Sequence, residues 1–293
     1  MKHYNKGKVM KKILTGLLII IIVTFFLFYG YTIFNSQNIS MFKPFSKNNV
    51  LFKQEQSIKI KNNLPKIEAA SAFYPFAASF VQNIYSKDSY SKELLQMVST
   101  SQAYVDIVSG KTDIIIATEP SDEQKEIIKE SNVKLEFKTI YLEPLAVLIN
   151  NDNSIENLNI KQIQQIYYEN DPKWNTYQLE RNNGSQTCFE SIVKNNELNK
   201  NHYEINTMPK IIDKIAVDKK GIGYAFYSYY SKMHRNNKAK IINVDNKNIN
   251  DIDYPLLFEV YLIYRTDNYN ENISKIANWL ETEEGEKFIK NIK

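Results

Sequence analysis

With 293 residues and 43% hydrophobic content, the chain is long enough for a tether and a globular part of roughly 200–230 residues. A single cysteine, Cys188, excludes an internal disulfide framework and also a thiolate zinc site, which needs several ligands at close spacing. The net charge of +4 comes from Lys2, Lys6, Lys8, Lys11 and Lys12, all far ahead of the first acid at Glu55; 37 basic residues less these five leave 32 against 33 acidic ones, so no broad cationic field remains for nucleic acid.

Residues 1–12 read as a basic cytoplasmic tail, and 13–34 as an uncharged run containing Leu17-Leu18-Ile19-Ile20-Ile21-Ile22-Val23. As a helix this run is about 33 Å long, enough to cross a hydrocarbon core of about 30 Å. The lysines ahead of it predict a single-pass cell-membrane anchor with the globular part outside. The competing reading, a cleaved signal peptide, wants a shorter apolar core ending in small residues, and no such site follows. Residues 35–63, rich in Asn, Ser, Lys and Gln, read as a flexible or partly extended connector, with a short alternating stretch at Ser57–Lys61.

From Leu64 strands alternate with amphipathic helices, the pattern of an α/β domain with substantial parallel sheet. A loop over Glu68–Pro75 opens a helix near Phe76–Tyr85, and a second helix starts after Ser99-Thr100-Ser101. Asp113–Thr118 reads as a buried strand, Asp122–Ser131 as a helix, and Leu135–Ile140 with Leu145–Asn150 as a strand pair. Helices are expected near Ile160–Tyr168, Cys188–Asn195 and Pro209–Lys219, then a strand at Gly221–Tyr227. Val260–Tyr264 is the last strand, ahead of a terminal helix near Ile273–Ile289. The aromatics Tyr224, Phe226, Tyr227, Tyr229 and Tyr230 fit a half-buried strand and its edge better than a sugar-stacking platform.

Several segments, in order, resemble the substrate-binding proteins of phosphate ABC transporters. Leu64-Pro65-Lys66-Ile67-Glu68-Ala69-Ala70-Ser71-Ala72-Phe73-Tyr74-Pro75 looks like the family's first ligand loop, with Ser71 at the hydroxyl position and Ala72 beside it. Ser99-Thr100-Ser101-Gln102-Ala103-Tyr104 and Ser109-Gly110-Lys111-Thr112-Asp113-Ile114 are similar to its second loop, helix and strand. Arg181-Asn182-Asn183-Gly184-Ser185-Gln186-Thr187 matches an arginine followed four residues later by a Ser-x-Thr turn. The resemblance covers about residues 57–293. It implies a type II periplasmic-binding fold of two α/β lobes: lobe one from 64–145 plus 256–293, lobe two from 146–255. It also implies a ligand cleft, no cofactor, no catalysis, and a monomer that hands inorganic phosphate or a similar oxyanion to a membrane permease. The rival role is a surface sensor or assembly protein with altered ligand contacts.

An oxyanion that sheds its water shell needs donors, and helix amino termini supply unpaired N–H groups with a favourable dipole. Ser71-Ala72, Thr100-Ser101 and Ser185-Gln186-Thr187 each precede or open an expected helix, where hydroxyls also serve as caps. Arg181 adds a guanidinium able to bind bidentately, and Gly184 allows a tight return toward it. In the family an acid follows the strand ending at Thr118 and accepts a proton from bound phosphate; here that acid is Glu119. Gln186 stands where the family usually has glycine, as does Ala69. Ser185 with His202 lacks the strand-turn-helix elbow of a serine hydrolase. Asp245-Asn246-Lys247-Asn248 has a lysine at a ligand position and no turn glycine, which excludes a calcium loop.

Overall fold

The computed structural model describes residues 39–168, 171–193 and 202–292. The expected tail and anchor over 1–34 lie outside the described residues; among those described, no helix is long and apolar enough to cross a membrane.

The first half of the chain carries β1 (Ile67–Ala70), α1 (Tyr74–Ile84), β2 (Leu95–Val98), α2 (Thr100–Val108), β3 (Ile114–Ala117), α3 (Asp122–Glu130) and β4 (Leu135–Asn150). Next come β5 (Asn157–Leu158), α4 (Ile160–Tyr168), β6 (Asn175–Leu179), α5 (Gly184–Val193), β7 (Tyr203–Ile205), α6 (Met208–Val217) and β8 (Gly221–Phe226). The chain closes with β9 (Ala239–Ile241), β10 (Asn243–Val244), β11 (Leu257–Arg265), α7 (Glu271–Leu280) and α8 (Glu283–Ile292).

β4 belongs to both halves of the molecule. Leu135–Pro144 pairs antiparallel with β11, and Leu145–Ile149 pairs antiparallel with β8. The partner changes at Pro144, whose missing N–H interrupts a ladder. Outward from β11 lie β3, β1 and β2, the three mutually parallel, and they form lobe one. Outward from β8 lie β6 and β7, parallel to it, and β9 flanks β4 on its other side; these form lobe two. β5 and β10 make a separate parallel pair. The return crossing lies against the outgoing one, because Leu145 N–H donates to the Leu256 carbonyl at 2.9 Å and the Tyr254 hydroxyl donates to the Leu145 carbonyl at 3.1 Å. Glu143, fully buried at this crossing, accepts from the Ser228 N–H and hydroxyl, each at 2.6 Å.

Ile114, Ile115 and Ile116 of β3 are wholly buried between β1 and β11. Each such side chain contributes roughly 1.5–3 kcal/mol of transfer free energy. Four expectations change. Leu135–Asn150 is one strand of 16 residues, continued through Pro144 by its succession of partners. Glu68–Ala70 is strand where a loop was expected, its apolar pattern having been broken by a carboxylate in mid-strand. The terminal helix divides into α7 and α8 at a tight turn, where a Cβ on Gly285 would fall 2.2 Å from the Trp279 carbonyl oxygen. Residues 39–63 do not hang free as a connector. Phe42 and Leu51 are buried in the core, the Phe45 N–H donates to Gln82 Oε1 at 2.5 Å, and the Gln54 N–H donates to Asn83 Oδ1 at 2.7 Å.

Glu68 is 1% exposed in the middle of β1 and hydrogen-bonds to Asp106 of α2, which also pairs with Lys111 at 2.7 Å. Burial, then the negative charge of Asp106, raises the Glu68 pKa, and Lys66 opposes the shift. A carboxyl whose folded pKa is raised contributes fully below its unfolded value, and the contribution is lost as pH rises through the folded one. Urea unfolding of wild type and Glu68→Gln across a pH series is therefore expected to show wild type losing stability relative to the variant as pH climbs from 4.5. A pH-independent difference would contradict the assignment.

Candidate functional site

Two helix starts meet where the lobes face each other. At the start of α2, Ser99 is the cap: its Oγ accepts from the Gln102 N–H at 3.1 Å. Capping by Ser99 leaves the next two hydroxyls free to reach across. Thr100, buried, accepts at Oγ1 from the Gly184 N–H of lobe two at 3.2 Å, and Ser101 donates to the Asn182 carbonyl at 3.0 Å.

The loop ahead of α5 completes this latch. Asn182 sits at φ 65°, in the left-handed region that Asn tolerates better than most residues. Its side-chain oxygen accepts from Ser121 at 2.6 Å, and its carbonyl also accepts from Gln124 Nε2 at 3.0 Å. Ser121 and Gln124 form the capping box of α3 at the same time. Asn183 Oδ1 accepts from both the N–H and the hydroxyl of Ser185, at 3.2 and 3.0 Å. That cap is why α5 begins at Gly184, four residues ahead of the expected Cys188. Gly184 is the close approach between lobes: a Cβ there would lie 2.8 Å from Thr118 Oγ1 and 2.9 Å from Thr100 Oγ1.

A cavity opens on each side of this contact. The smaller, of about 220 Å³, is lined by Ser71, Ala72, Thr100, Asn183, Thr207 and Phe226 among others. The larger, of about 460 Å³, has Thr118, Thr187 and Cys188 along it, with Glu119, Glu190 and Glu259 on its walls. The expected site residues are thus divided. Ser71, whose hydroxyl donates to the Val98 carbonyl at 3.3 Å, shares the smaller cavity with Ala72 and Thr100. Glu119 and Thr187 line the larger, and Ser101 bridges the lobes between the two. Ser185 is wholly buried beneath the contact.

Two residues fall elsewhere. Arg181 is exposed, lines neither cavity and has no hydrogen-bond or ion-pair partner among the described residues. The Gln186 side chain turns into lobe two rather than the cleft: Oε1 accepts from the Leu179 N–H at 3.1 Å and from the Tyr224 hydroxyl, while Nε2 donates to Glu190 at 2.9 Å. Phe189 stacks on Tyr224 with ring centroids 4.2 Å apart, fixing α5 on the sheet. Burial raises the Cys188 thiol pKa, leaving it an inert neutral group. The hydroxyls of Thr118 and Thr187 are buried without a hydrogen-bonding nitrogen or oxygen partner, Thr118 having only the Cys188 thiol beside it. Among the described residues no group of three or more His, Cys, Asp or Glu is disposed to hold a metal ion.

Asn182, Asn183, Ser121 and Gln124 were not among the expected site residues. The Ser-x-x-Gln spacing at 121–124 is a legible cap, but nothing in the sequence ties it to Asn182.

The profile of the PBP superfamily domain matches residues 63–290. The phosphate-binding protein PstS of Staphylococcus aureus (strain USA300) is 22% identical over 197 residues, 62% of this chain and 59% of the relative, so the match spans under two thirds of that relative's length. A Clostridium perfringens protein assigned to a phosphate ABC transporter and solved with bound phosphate superposes with a TM-score of 0.59 at 17% identity, covering 78% of this chain and 97% of that one. A mutant OxyR2 regulatory domain from Vibrio vulnificus superposes with a TM-score of 0.55 at 11% identity, covering 82% and 99%. Such distant likenesses establish the fold, which serves more than one role.

Thr100→Val removes the acceptor for the Gly184 N–H while keeping the volume of the side chain. The unpaired amide is expected to cost about 1–3 kcal/mol in urea unfolding, with faster hydrogen exchange over residues 184–187. Wild-type exchange in the variant would show that the lobes are not latched through this bond.

Proposed function

The chain belongs to the PBP superfamily, and from that premise we propose that it is a binding protein, not an enzyme, which captures a small oxyanion outside the cell and delivers it to an ABC-transporter permease. Inorganic phosphate is the first candidate, as the kinship with PstS suggests. The observation that carries this reading is the pair of buried hydroxyls, Thr118 and Thr187, that lack a nitrogen or oxygen partner along one cavity at the start of α5, Thr118 having only the Cys188 thiol. Buried hydroxyls without partners are disfavoured unless a ligand or water completes them. The start of α5 adds its dipole to the same place.

On this reading the lobes move about the paired crossings at 143–145 and 254–256, and opening breaks the bonds from Thr100 and Ser101 to the loop 182–184. Those hydroxyls then become ligand donors together with Ser71, the amide of Ala72, Ser185 and the amide of Gln186. Arg181, facing solvent here, supplies the positive charge once the loop re-forms around the anion, and Glu119 receives the phosphate proton. Residues 13–34 hold the protein in the membrane with its amino terminus in the cytoplasm, and the strap 39–63 positions the lobes close above it. Such confinement raises the local concentration of binder at its permease.

A second reading, a sensor or assembly protein, is favoured by one specific feature. Asn182, Gly184 and Gln186 already spend their hydrogen bonds on protein partners, so the latched form is stable by itself.

Calorimetric titration of the full chain in detergent with phosphate and sulfate separates the two. Transport predicts saturable phosphate binding, weakened about tenfold or more by Arg181→Ala and by Thr187→Val, since a charge-assisted bond is worth roughly 1.5–3 kcal/mol. No heat and no thermal shift with either anion would leave only the second reading. Unchanged affinity in Arg181→Ala would remove that residue from the site.

A further inference from the structure

We propose that the larger cavity takes an oxyanion that also carries a cationic amine, an aminoalkyl phosphonate or the matching phosphate ester, in preference to bare phosphate. This inference rests on the oxyanion reading above and narrows its ligand class.

Size is the first argument. The cavity measures about 460 Å³, whereas a phosphate ion has the bulk of a few waters at about 30 Å³ each. Most of the space would stay unfilled around phosphate alone. An organic substituent of a few atoms uses it, and Leu257 and Phe258 provide apolar wall for such a linker.

Charge is the second. Glu119, Asp122, Glu190 and Glu259 line the cavity with a single lysine, Lys125, which pairs with Asp122 at 3.3 Å and leaves the other three carboxylates in excess. A surrounding of this sign repels a multiply charged anion that brings no cation of its own. Two of the carboxylates converge. The Tyr261 hydroxyl donates to Glu259 at 2.5 Å, and Glu119 lies within hydrogen-bonding reach of the same hydroxyl. Glu259 also accepts from the Thr139 hydroxyl at 3.0 Å, so Glu119, which only shares the phenolic proton, is the carboxylate left short of donors. A primary ammonium brings three donors and a full positive charge to that place, and the Tyr261 ring offers it a favourable face. The carboxylates are too dispersed for a metal: no group of three or more such ligands is found among the described residues.

The third argument is independent of the acidic wall. Thr118 is 1% exposed, lines this cavity, and has no nitrogen or oxygen partner for its hydroxyl; the Thr187 hydroxyl shares that condition. These two hydroxyls suit the anionic end of the ligand, and Glu119 with Glu259 suit the ammonium.

The test is calorimetry of the full chain in detergent with aminoethylphosphonate, ethylphosphonate, inorganic phosphate and ethanolamine. Aminoethylphosphonate is expected to bind roughly tenfold or more tightly than ethylphosphonate, the effect of one retained ammonium–carboxylate contact. In the double variant Glu119→Gln/Glu259→Gln that ratio should fall to near one. Equal binding of the two phosphonates by wild type, or tighter binding of inorganic phosphate, overturns the inference and leaves the oxyanion reading standing. Failure of all three oxyanions to bind overturns both, as does ethanolamine binding as well as aminoethylphosphonate. The wild-type comparison decides the matter even if the double variant does not fold.

Discussion

The first amides of a helix have no carbonyl within their own helix, and α5 meets that requirement with groups from outside itself. Thr100 takes the Gly184 N–H, and Asn183 takes the N–H of Ser185. Since Thr100 stands on lobe one and α5 on lobe two, this helix start is completed only while the lobes are together. The contact is close because position 184 carries no side chain. Ser101, Ser121 and Gln124 add further bonds from lobe one to Asn182 in the same loop. An oxyanion entering here would therefore compete with the protein for the same donors. Exchanging an internal hydrogen bond for one to a ligand changes the free energy little. Affinity must then come from groups that closure leaves unpaired, namely Thr118, Thr187 and the charged side chains around them.

The freedom of the lobes to part is set by the shared strand. β4 passes from β11 to β8 at Pro144, and the chain returns beside it at Tyr254–Leu256, so two adjacent crossings carry the connection in the sheet. Two neighbouring strands bend more readily than a packed layer shears. Glu143 limits the range of that bend. Its carboxylate is wholly buried and is satisfied by Ser228, which follows β8. Pulling it away would strip a wholly buried carboxylate of both Ser228 donors, a costly change.

The period of apolar residues made the α/β class and the central elements readable. β3 and α4 appear where Ile114–Ile116 and the Ile160–Tyr168 spacing put them. Elements whose pattern is broken by function-like residues were not readable. β1 carries Glu68 in its centre, and this polar residue disguised a strand whose carboxyl hydrogen-bonds to Asp106. The three consecutive hydroxyls at Ser99–Ser101 signalled a helix start, yet only the fold tells that the first is the cap and the other two cross to the far lobe. Arg181 shows the limit of spacing arguments: four residues before Ser185 it stands outside both cavities in this conformation, because the left-handed turn at Asn182 directs the chain away before α5 begins.

Gln186 shows what one residue in place of glycine does to such a loop. A glycine there would leave the second turn of the loop free to adapt to a ligand. Gln186 instead ties the start of α5 to β6 through the Leu179 N–H, to β8 through the Tyr224 hydroxyl, and to its own next turn through Glu190. Its Oε1 has two buried partners and its Nε2 the half-buried Glu190, so the side chain cannot leave without orphaning at least one polar group. The helix start is therefore fixed to lobe two as a rigid body, and adaptation has to occur ahead of it, in Arg181–Asn183. The same Gln186 amide donates to Glu190, a residue that lines the larger cavity, and so restrains that side chain.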